Sequence, residues 1–328
     1  MTECSISIII PAYNVENYLK AALDSIREQT ELPDEVILID DGSSDQTLEV
    51  AKAFEFTVPY QIISIENAGQ GNARNLGVSL ASSDYVYFFD SDDLLTKEFI
   101  HIIKNKIRQN QSPDIVLFSG ESFNDNGYQG NRWVNYRRGF SGVFSNRNDF
   151  LNRAHSLNAL FCSPCLYVSK KSLWGPNGLE FGTNYLEDEA LFYPVLFACT
   201  NFVVVDEVFF LRRNREGSTM TMAPNAKHVN GALNCLETTL KLYSEVGDKG
   251  EGSWYVRKRL KSHCLSYIIR ARRAGLPVNL GQVTRALIKS RSMVLAIKAL
   301  LYGMRADQSD TLRRIGKAMK KDSTQARG

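Results

Sequence analysis

Long apolar runs are missing from this chain. None of its windows approaches the roughly 18–20 uninterrupted apolar residues that a membrane-spanning helix requires, and mean hydropathy is −0.23. Histidine is scarce: the four at 101, 155, 228 and 263 show no metal-ligand spacing. The six cysteines (4, 162, 165, 199, 235, 264) form no framework. Cys162 and Cys165 are a lone pair without a second Cys/His pair, so they make no four-ligand zinc site, and they fall beside an apparent strand rather than at a helix start. Nothing basic precedes the apolar run Ile6–Ile10 and no small-residue cleavage site accompanies it, so no secretory signal is expected. The thiols are then expected to be free in a reducing cytoplasm.

What is present is ordinary globular composition, with 44% hydrophobic, 23% charged and 10% aromatic residues in 328. That excludes a disordered chain, a fibre and a small disulfide scaffold. The net charge of +3 hides an asymmetry. Residues 251–328 carry 18 Lys and Arg against 4 Asp and Glu, whereas residues 1–250 carry 21 against 32. An acidic body joined to a strongly basic C-terminal region suggests a polyanionic partner.

Strand and helix patterns alternate over the first 120 residues. Apolar or β-branched runs at Ser5–Ile10, Val36–Ile39, Tyr60–Ile65, Tyr85–Phe89 and Ile115–Phe118 predict strands. Between them, Tyr18, Leu19, Ala22, Leu23 and Ile26, then a segment starting near Ser44 as N-cap, then Asn72–Ala81, then Phe99–Ile107 predict helices. Strands buried on both faces and joined by helices mean an α/β fold with a mostly parallel, doubly wound sheet. Residues 121–145 read as a loop or hairpin excursion. Leu166–Ser169, a helix from about Glu187, and Phe202–Leu211 extend the domain, and only helical patterns follow, at roughly 226–247, 253–274 and 281–321. The expected division is 1–222 and 223–328.

Ligands of open parallel sheets bind at the carboxyl ends of strands, and polar clusters follow four strands in turn. They are Pro11-Ala12-Tyr13-Asn14-Val15-Glu16, Asp40-Asp41-Gly42-Ser43-Ser44-Asp45, Asn67 through Asn75, and Asp90-Ser91-Asp92-Asp93. The last offers hard oxygen ligands suited to Mg²⁺ or Mn²⁺ together with substrate phosphates; its alternative use is to cap the helix carrying Phe99. One Asp of the 40–41 pair suits a base ring N–H, with Pro11 and Tyr13 lining the pocket, although a plain glycine turn explains the same residues. Arg74 follows a Gly-rich loop and is placed to reach phosphate oxygens, unless it is a surface arginine. Asp188 lies three and four residues before Leu191 and Phe192 and so points inward; it suits a general base, or a simple partner for the helix dipole.

These residues resemble glycosyltransferase family 2. The resemblance rests on Ile8 through Asn14 with Glu16, Ile39 through Asp45, Gly71 through Gly77, Phe89 through Asp93, Glu187-Asp188, and Phe210 through Arg213 with Ser218 and Thr219, over roughly residues 5–222. It implies a GT-A fold, a nucleotide-sugar donor (a UDP-sugar first), a divalent metal (Mg²⁺ or Mn²⁺), and inversion at the anomeric carbon. It places Asp41 on the base, with Pro11, Ala12, Tyr13, Glu16 and Asn67 around the nucleotide and Arg74 nearby. Asp90 and Ser91 fall at the ribose or sugar, Asp92 at the metal, and Asp188 as base. The acceptor is expected to be a glycan or polyprenyl-linked saccharide hydroxyl, as in surface polysaccharide assembly. The competing readings are a nucleotidyltransferase making a nucleotide sugar, which lacks its Gly-rich phosphate loop here, and a non-catalytic sugar-nucleotide binding module. Gln129-Gly130-Asn131-Arg132-Trp133 spells a motif of processive synthases, but it precedes Asp188 and is read as chance.

The basic region combines apolar positions with Arg257, Lys258, Arg259, Lys261, Arg270, Arg272 and Arg273, and closes on Arg313, Arg314, Lys317, Lys320 and Lys321. Such helices fit the plane of an anionic bilayer; they equally fit a bundle packed on the first domain. With no recognised motif and an acidic body, no nucleic-acid partner is expected. The expected location is cytoplasmic, with a peripheral position on the inner face of the cell membrane as its variant.

Overall fold

The computed structural model describes residues 4–125, 128, 135–175, 178–215 and 225–291. Ten strands form one sheet: β1 (Ile6–Ala12), β2 (Glu35–Asp40), β3 (Tyr60–Ser64), β4 (Tyr85–Phe88), β5 (Leu94–Leu95), β6 (Ile115–Asn124), β7 (Asn135–Tyr136), β8 (Gly142–Phe144), β9 (Tyr167–Lys170) and β10 (Phe202–Asn214). Their spatial order is β3-β2-β1-β4-β9-β6-β10-β5, with β7 beside β6 and β8 beside β10. β3, β2, β1, β4, β6 and β10 share one direction, as expected. β9 enters between β4 and β6 antiparallel to both, and the short β5, β7 and β8 also run against their neighbours.

The period of two along each strand fills two cores. Ile6, Ile8, Ile10, Val36, Leu38, Tyr85, Tyr87 and Phe89 face one layer. There they meet α1 (Leu19–Arg27) and α4 (Phe99–Gln109) through Leu23, Ile26, Phe99 and Ile103. Ile9, Ile37, Ile39, Val86 and Phe88 face the other. That layer holds α3 (Gln70–Leu80), α5 (Arg147–Ser156) and α6 (Glu187–Ala198), and also α7 (Ala226–Val246), α8 (Ser253–Arg273) and α9 (Leu280–Ser290). Continuous apolar strands are what burial on both faces demands.

Three local expectations need correction. β1 continues through Pro11 and Ala12, which pair with Ile39 and Asp40 of β2. The Ile9 carbonyl accepts from Phe89 N–H, so the odd residues of β1 turn their backbone toward β4. β4 pairs only as far as Ile9, and the missing N–H of Pro11 therefore leaves no gap in the ladder. Ser44 does not cap α2 (Thr47–Lys52); Asp45 accepts from the Thr47 N–H at 3.0 Å instead. The expected break after Gly120 is incomplete, since β6 runs on to Asn124 and α5 begins just past the excursion, capped by Asn146 on the Asp149 N–H. α5 was not expected because it is polar and short; its Phe150 stacks on Phe202 with centroids 4.5 Å apart.

The C-terminal helices are part of the second core. α8 buries Tyr255, Val256, Leu260, His263, Cys264, Tyr267, Ile268 and Ala271, so its apolar face is turned to protein. α7 reaches the entry of α6 so closely that a Cβ on Gly231 would lie 1.8 Å from the Tyr185 carbonyl oxygen. The expected boundary near 222–225, the processive-synthase lookalike at 129–133, Ser218, Thr219 and the basic run beyond 291 lie outside the described residues, apart from Asn225, which caps α7.

Gly231→Ala is expected to lower stability by about 1–3 kcal/mol through forced separation of α7 from Tyr185. Chemical denaturation of both proteins checks it, and an unchanged midpoint would show that the approach is not needed.

Candidate active site

The crevice opens where the parallel strands end. After β2, Gly42 takes φ +72°, and a Cβ there would meet the Asn67 backbone nitrogen at 2.8 Å, so only glycine fits this turn. Asp40 accepts from Ser43 N–H (3.2 Å) and the Ser64 hydroxyl (2.8 Å). Asp41, almost fully buried, accepts from the Ala68 and Gly69 N–H groups at 2.7 and 2.9 Å. Asn67 is exposed and donates its amide to the Asp41 carbonyl at 3.0 Å. The second-strand aspartates thus brace the loop after β3, and each Asp41 oxygen keeps a second lone pair. Tyr13 is 49% exposed, an aromatic face available for stacking. Glu16, half-buried, accepts from the Gln46 N–H at 2.8 Å, while Pro11 and Ala12 are buried in β1.

Asp90, Ser91, Asp92 and Asp93 follow β4. Asp90 is half-buried and accepts from Gln70 Nε2 and Arg74 Nη2, both at 2.9 Å. Ser91 is buried. Asp93 does not cap α4; it is buried and accepts from the Arg213 N–H at 2.7 Å. Burial, then the neighbouring Asp92 and Asp90 carboxylates, push its carboxyl well above the usual range. Asp92 is half-buried, and Arg215 Nε donates to its Oδ2 at 2.7 Å. Arg213 donates to the Asp92 carbonyl (2.8 Å) and to Asp125 (2.7 Å), and both guanidinium groups stack on Tyr18, at 5.4 and 4.9 Å. The sequence reading gave Arg213 no role and did not single out Arg215; the signal was their i, i+2 spacing at the end of β10, which puts both on one face.

Among the described residues no three His, Cys, Asp or Glu side chains are arranged to cage an ion. Asp90 and Asp92 nevertheless fit the way Mg²⁺ or Mn²⁺ is usually held, by one or two carboxylates with substrate phosphates completing the shell. The cysteines serve no such purpose. All six are free thiols, and burial pushes Cys162 up to about 12 and Cys165 well above its usual value.

Arg74 is not a surface residue. It is 2% exposed and holds Asp90 on one side and Glu187 on the other, the latter at 3.1 Å, beneath the Phe181 ring at 5.1 Å. Its Nε is buried without a partner. This arginine therefore ties the acids after β4 to the first turn of α6. That turn is entered through Leu186 in the left-handed region, φ +68°, a strained state for a bulky residue. It presents Glu187, Asp188 and Glu189 in succession. Glu187 pairs with Arg74 and Glu189 with Arg259; Asp188 has no ion pair of its own among the described residues. Its Oδ1 accepts from the Glu189 N–H at 2.7 Å. Burial first, then the Glu187 charge, push its carboxyl up to about 7, against the opposing pull of Arg74. A carboxyl poised near neutrality suits a general base.

A mostly parallel α/β sheet with carboxylates at two strand ends and a near-neutral acid on the facing helix is the arrangement of a GT-A transferase. Residues 7–172, just over half of the chain, match the family model described as glycosyl transferase family 2, and the chain belongs to that family. GlyA of Streptococcus pneumoniae serotype 4, a glycosyltransferase, is 39% identical over 127 residues, 38% of this chain but only 18% of GlyA. GlyG of the same strain, also a glycosyltransferase, is 28% identical over 223 residues, 66% of this chain and 72% of GlyG. Of the solved structures, S. aureus TarS 1–349 in complex with UDP superposes with a TM-score of 0.58 at 17% identity, covering 88% of this chain and 89% of that one. The fold is thus GT-A, as expected.

Because the folded Asp188 carboxyl holds its proton to about 7 while an unfolded one releases it near 4, the native state binds more protons between these values. Stability contributed by the protonated form is complete below about pH 4 and falls as pH rises to about 7. Asp188→Asn, neutral throughout, is expected to gain on the wild type across that window, by roughly 2 kcal/mol once partial exposure is allowed for. Thermal unfolding at pH 4.5 and pH 8 measures the gain; an equal difference at both would show that Asp188 is ionised like an ordinary aspartate.

Proposed function

We propose that the protein is an inverting, metal-dependent glycosyltransferase. It moves a sugar from a nucleotide-sugar donor, most naturally a UDP-sugar, to a hydroxyl of a glycan or polyprenyl-linked saccharide in surface polysaccharide assembly. The observation that carries the reading is the link made by Arg74: the acids after β4 and the unpaired, near-neutral Asp188 belong to one constellation. The UDP donor is supported by the solved TarS complex with UDP, and a polymeric hydroxyl acceptor by the description of S. aureus TarS as a poly(ribitol-phosphate) beta-N-acetylglucosaminyltransferase.

In this reading Tyr13, Pro11, Ala12, Glu16, Asn67 and Asp41 form the nucleotide side of the crevice, and Asp90 and Ser91 the ribose and sugar side. Asp188 accepts the proton of the acceptor hydroxyl as that oxygen attacks the anomeric carbon. The bond from that carbon to the diphosphate oxygen breaks, and its electron pair leaves with the nucleoside diphosphate. One displacement from one side inverts the centre. Asp92, with Asp90, is assigned to a divalent ion, which when bound offsets the charge growing on the diphosphate. Arg213 and Arg215 place two further cations beside the same departing group.

Calorimetric titration with UDP, GDP and dTDP, each with and without Mn²⁺, tests the donor side on wild type and Asp92→Asn. One nucleotide is expected to bind in a metal-dependent way, at least about tenfold more weakly in the variant. Asp188→Asn is expected to keep that binding and lose transfer by roughly 10²–10⁴-fold. No nucleotide binding under any condition, or full transfer by Asp188→Asn, would overturn the proposal.

We also propose that the basic C-terminal region meets an anionic membrane surface. No helix among the described residues is long and apolar enough to cross a bilayer, and α8 is committed to the core. That leaves the polar side of α8, α9 with its exposed Leu280 and Ile288, and the lysines and arginines from 313 to 321. The full chain is expected to sediment with phosphatidylglycerol vesicles and not with phosphatidylcholine vesicles, and to be released by high salt. Replacing Arg313, Arg314, Lys317, Lys320 and Lys321 with Gln should weaken it; unchanged binding would remove the membrane role.

A further inference from the structure

A second buried polar cluster lies behind the candidate base, where α8 crosses the first turn of α6. His263 is 2% exposed and Thr239 3%. The Thr239 hydroxyl donates to the Cys235 carbonyl at 2.7 Å, so it accepts from His263 Nδ1, also at 2.7 Å, and Nδ1 carries a proton. His263 Nε2 lies 3.2 Å from Glu189 Oε1 and 2.9 Å from Arg259 Nη2, and that Nη2 donates to the same Glu189 Oε1 at 2.8 Å. Arg259 also lies over the Tyr193 ring at 4.7 Å. Its Nε is buried without a partner. A guanidinium held this way, at the cost of one unsatisfied donor, is locked onto the residue that follows Asp188 in the chain.

We propose that Arg259 and His263 are positioning residues for the proposed base: they fix Glu189 and neutralise its charge beside Asp188. The inference rests on the reading of Asp188 as the base. Neither residue faces the crevice acids, and their effect runs through Glu189, whose own N–H is the hydrogen-bond donor to Asp188. Fixing Glu189 thus fixes the orientation of the Asp188 carboxylate as well as the charge next to it.

The electrostatics around Asp188 make Glu189 the adjustable element. Glu187 and Glu189 on its own helix raise its proton affinity and Arg74 on α3 lowers it. Cys162, Tyr167 on β9 and Cys235 on α7 also face it, and burial pushes all three well up, so they stay neutral. Glu189 in turn faces His263, Arg259 and Arg270 of α8, and these hold its carboxyl below the usual range despite burial. Glu187 already has Arg74. Glu189 is the neighbour whose net charge depends on the C-terminal helices.

The test follows the Asp188 side-chain carboxyl by ¹³C NMR titration of the full chain labelled at aspartate, with the signal assigned by its loss in Asp188→Asn. Glu189→Gln, which removes a like charge, is expected to lower the Asp188 midpoint by about one pH unit. Arg259→Gln should raise it by a similar amount, Arg259→Lys should leave it near the wild-type value, and the Glu189→Gln/Arg259→Gln double variant, with both charges gone, should return it near the wild-type value. A role in packing alone would lower stability without this opposite pair of displacements. If Arg259→Gln does not fold, the near-isosteric Glu189→Gln decides the matter. A midpoint unmoved by Glu189→Gln overturns the inference even when Asp188→Asn is inactive, whereas full transfer by Asp188→Asn overturns the base reading whatever the titration gives.

Discussion

Three carboxylates in a row open α6, and the site depends on how their repulsion is resolved. Two of them are held by arginines from different parts of the chain, Glu187 by the buried Arg74 of α3 and Glu189 by the half-buried Arg259 of α8. The middle one has no ion pair among the described residues. Desolvation then acts on it unopposed by an ion pair, which is why an aspartate acquires the proton affinity of a near-neutral base. Had either arginine reached Asp188 directly, the same turn would carry an ordinary ionised acid.

The same constraint joins the two ends of the crevice. Arg74 shares its guanidinium between Asp90 and Glu187, so the strand-end acids and the helix cannot drift apart without uncovering a buried charge. Breaking such a pair is costly because the remaining partner stays desolvated. On the strand side Arg213 and Arg215 brace Asp92 and Asp93 through backbone and side chain. The acid cluster is therefore embedded in fixed positive charge and is preorganised rather than assembled on demand.

Much of this was legible in the residues. The strands from Ile6 to Phe118, the polar clusters at their ends and the inward position of Asp188 follow from period, turn chemistry and the rule that parallel sheets bind at strand ends. What escaped was long-range. Nothing local in Tyr167–Lys170 says that this strand inserts between β4 and β6, because an apolar run is silent about its neighbours and direction. Arg74 looked like a phosphate arm because a Gly-rich loop precedes it; nothing local shows that it also holds Glu187, 113 residues away. The loop-bracing bonds of Asp41 to Ala68 and Gly69 depend on how two connections meet in space. The amphipathic pattern of α8 was compatible with a membrane or a protein surface, and only its packing partners decide between them.

The close seat of Gly231 against Tyr185 has a temporal side as well. The ribosome delivers the strands and α6 before α7 and α8, and domains generally begin to fold from the N-terminal end. Until residue 231 arrives, nothing presses on the strained entry at Leu186, and until residue 259 follows, Glu189 lacks its cation. The strand-end side of the crevice can thus form on the nascent chain well ahead of the surroundings of Asp188, which α7 and α8 complete later.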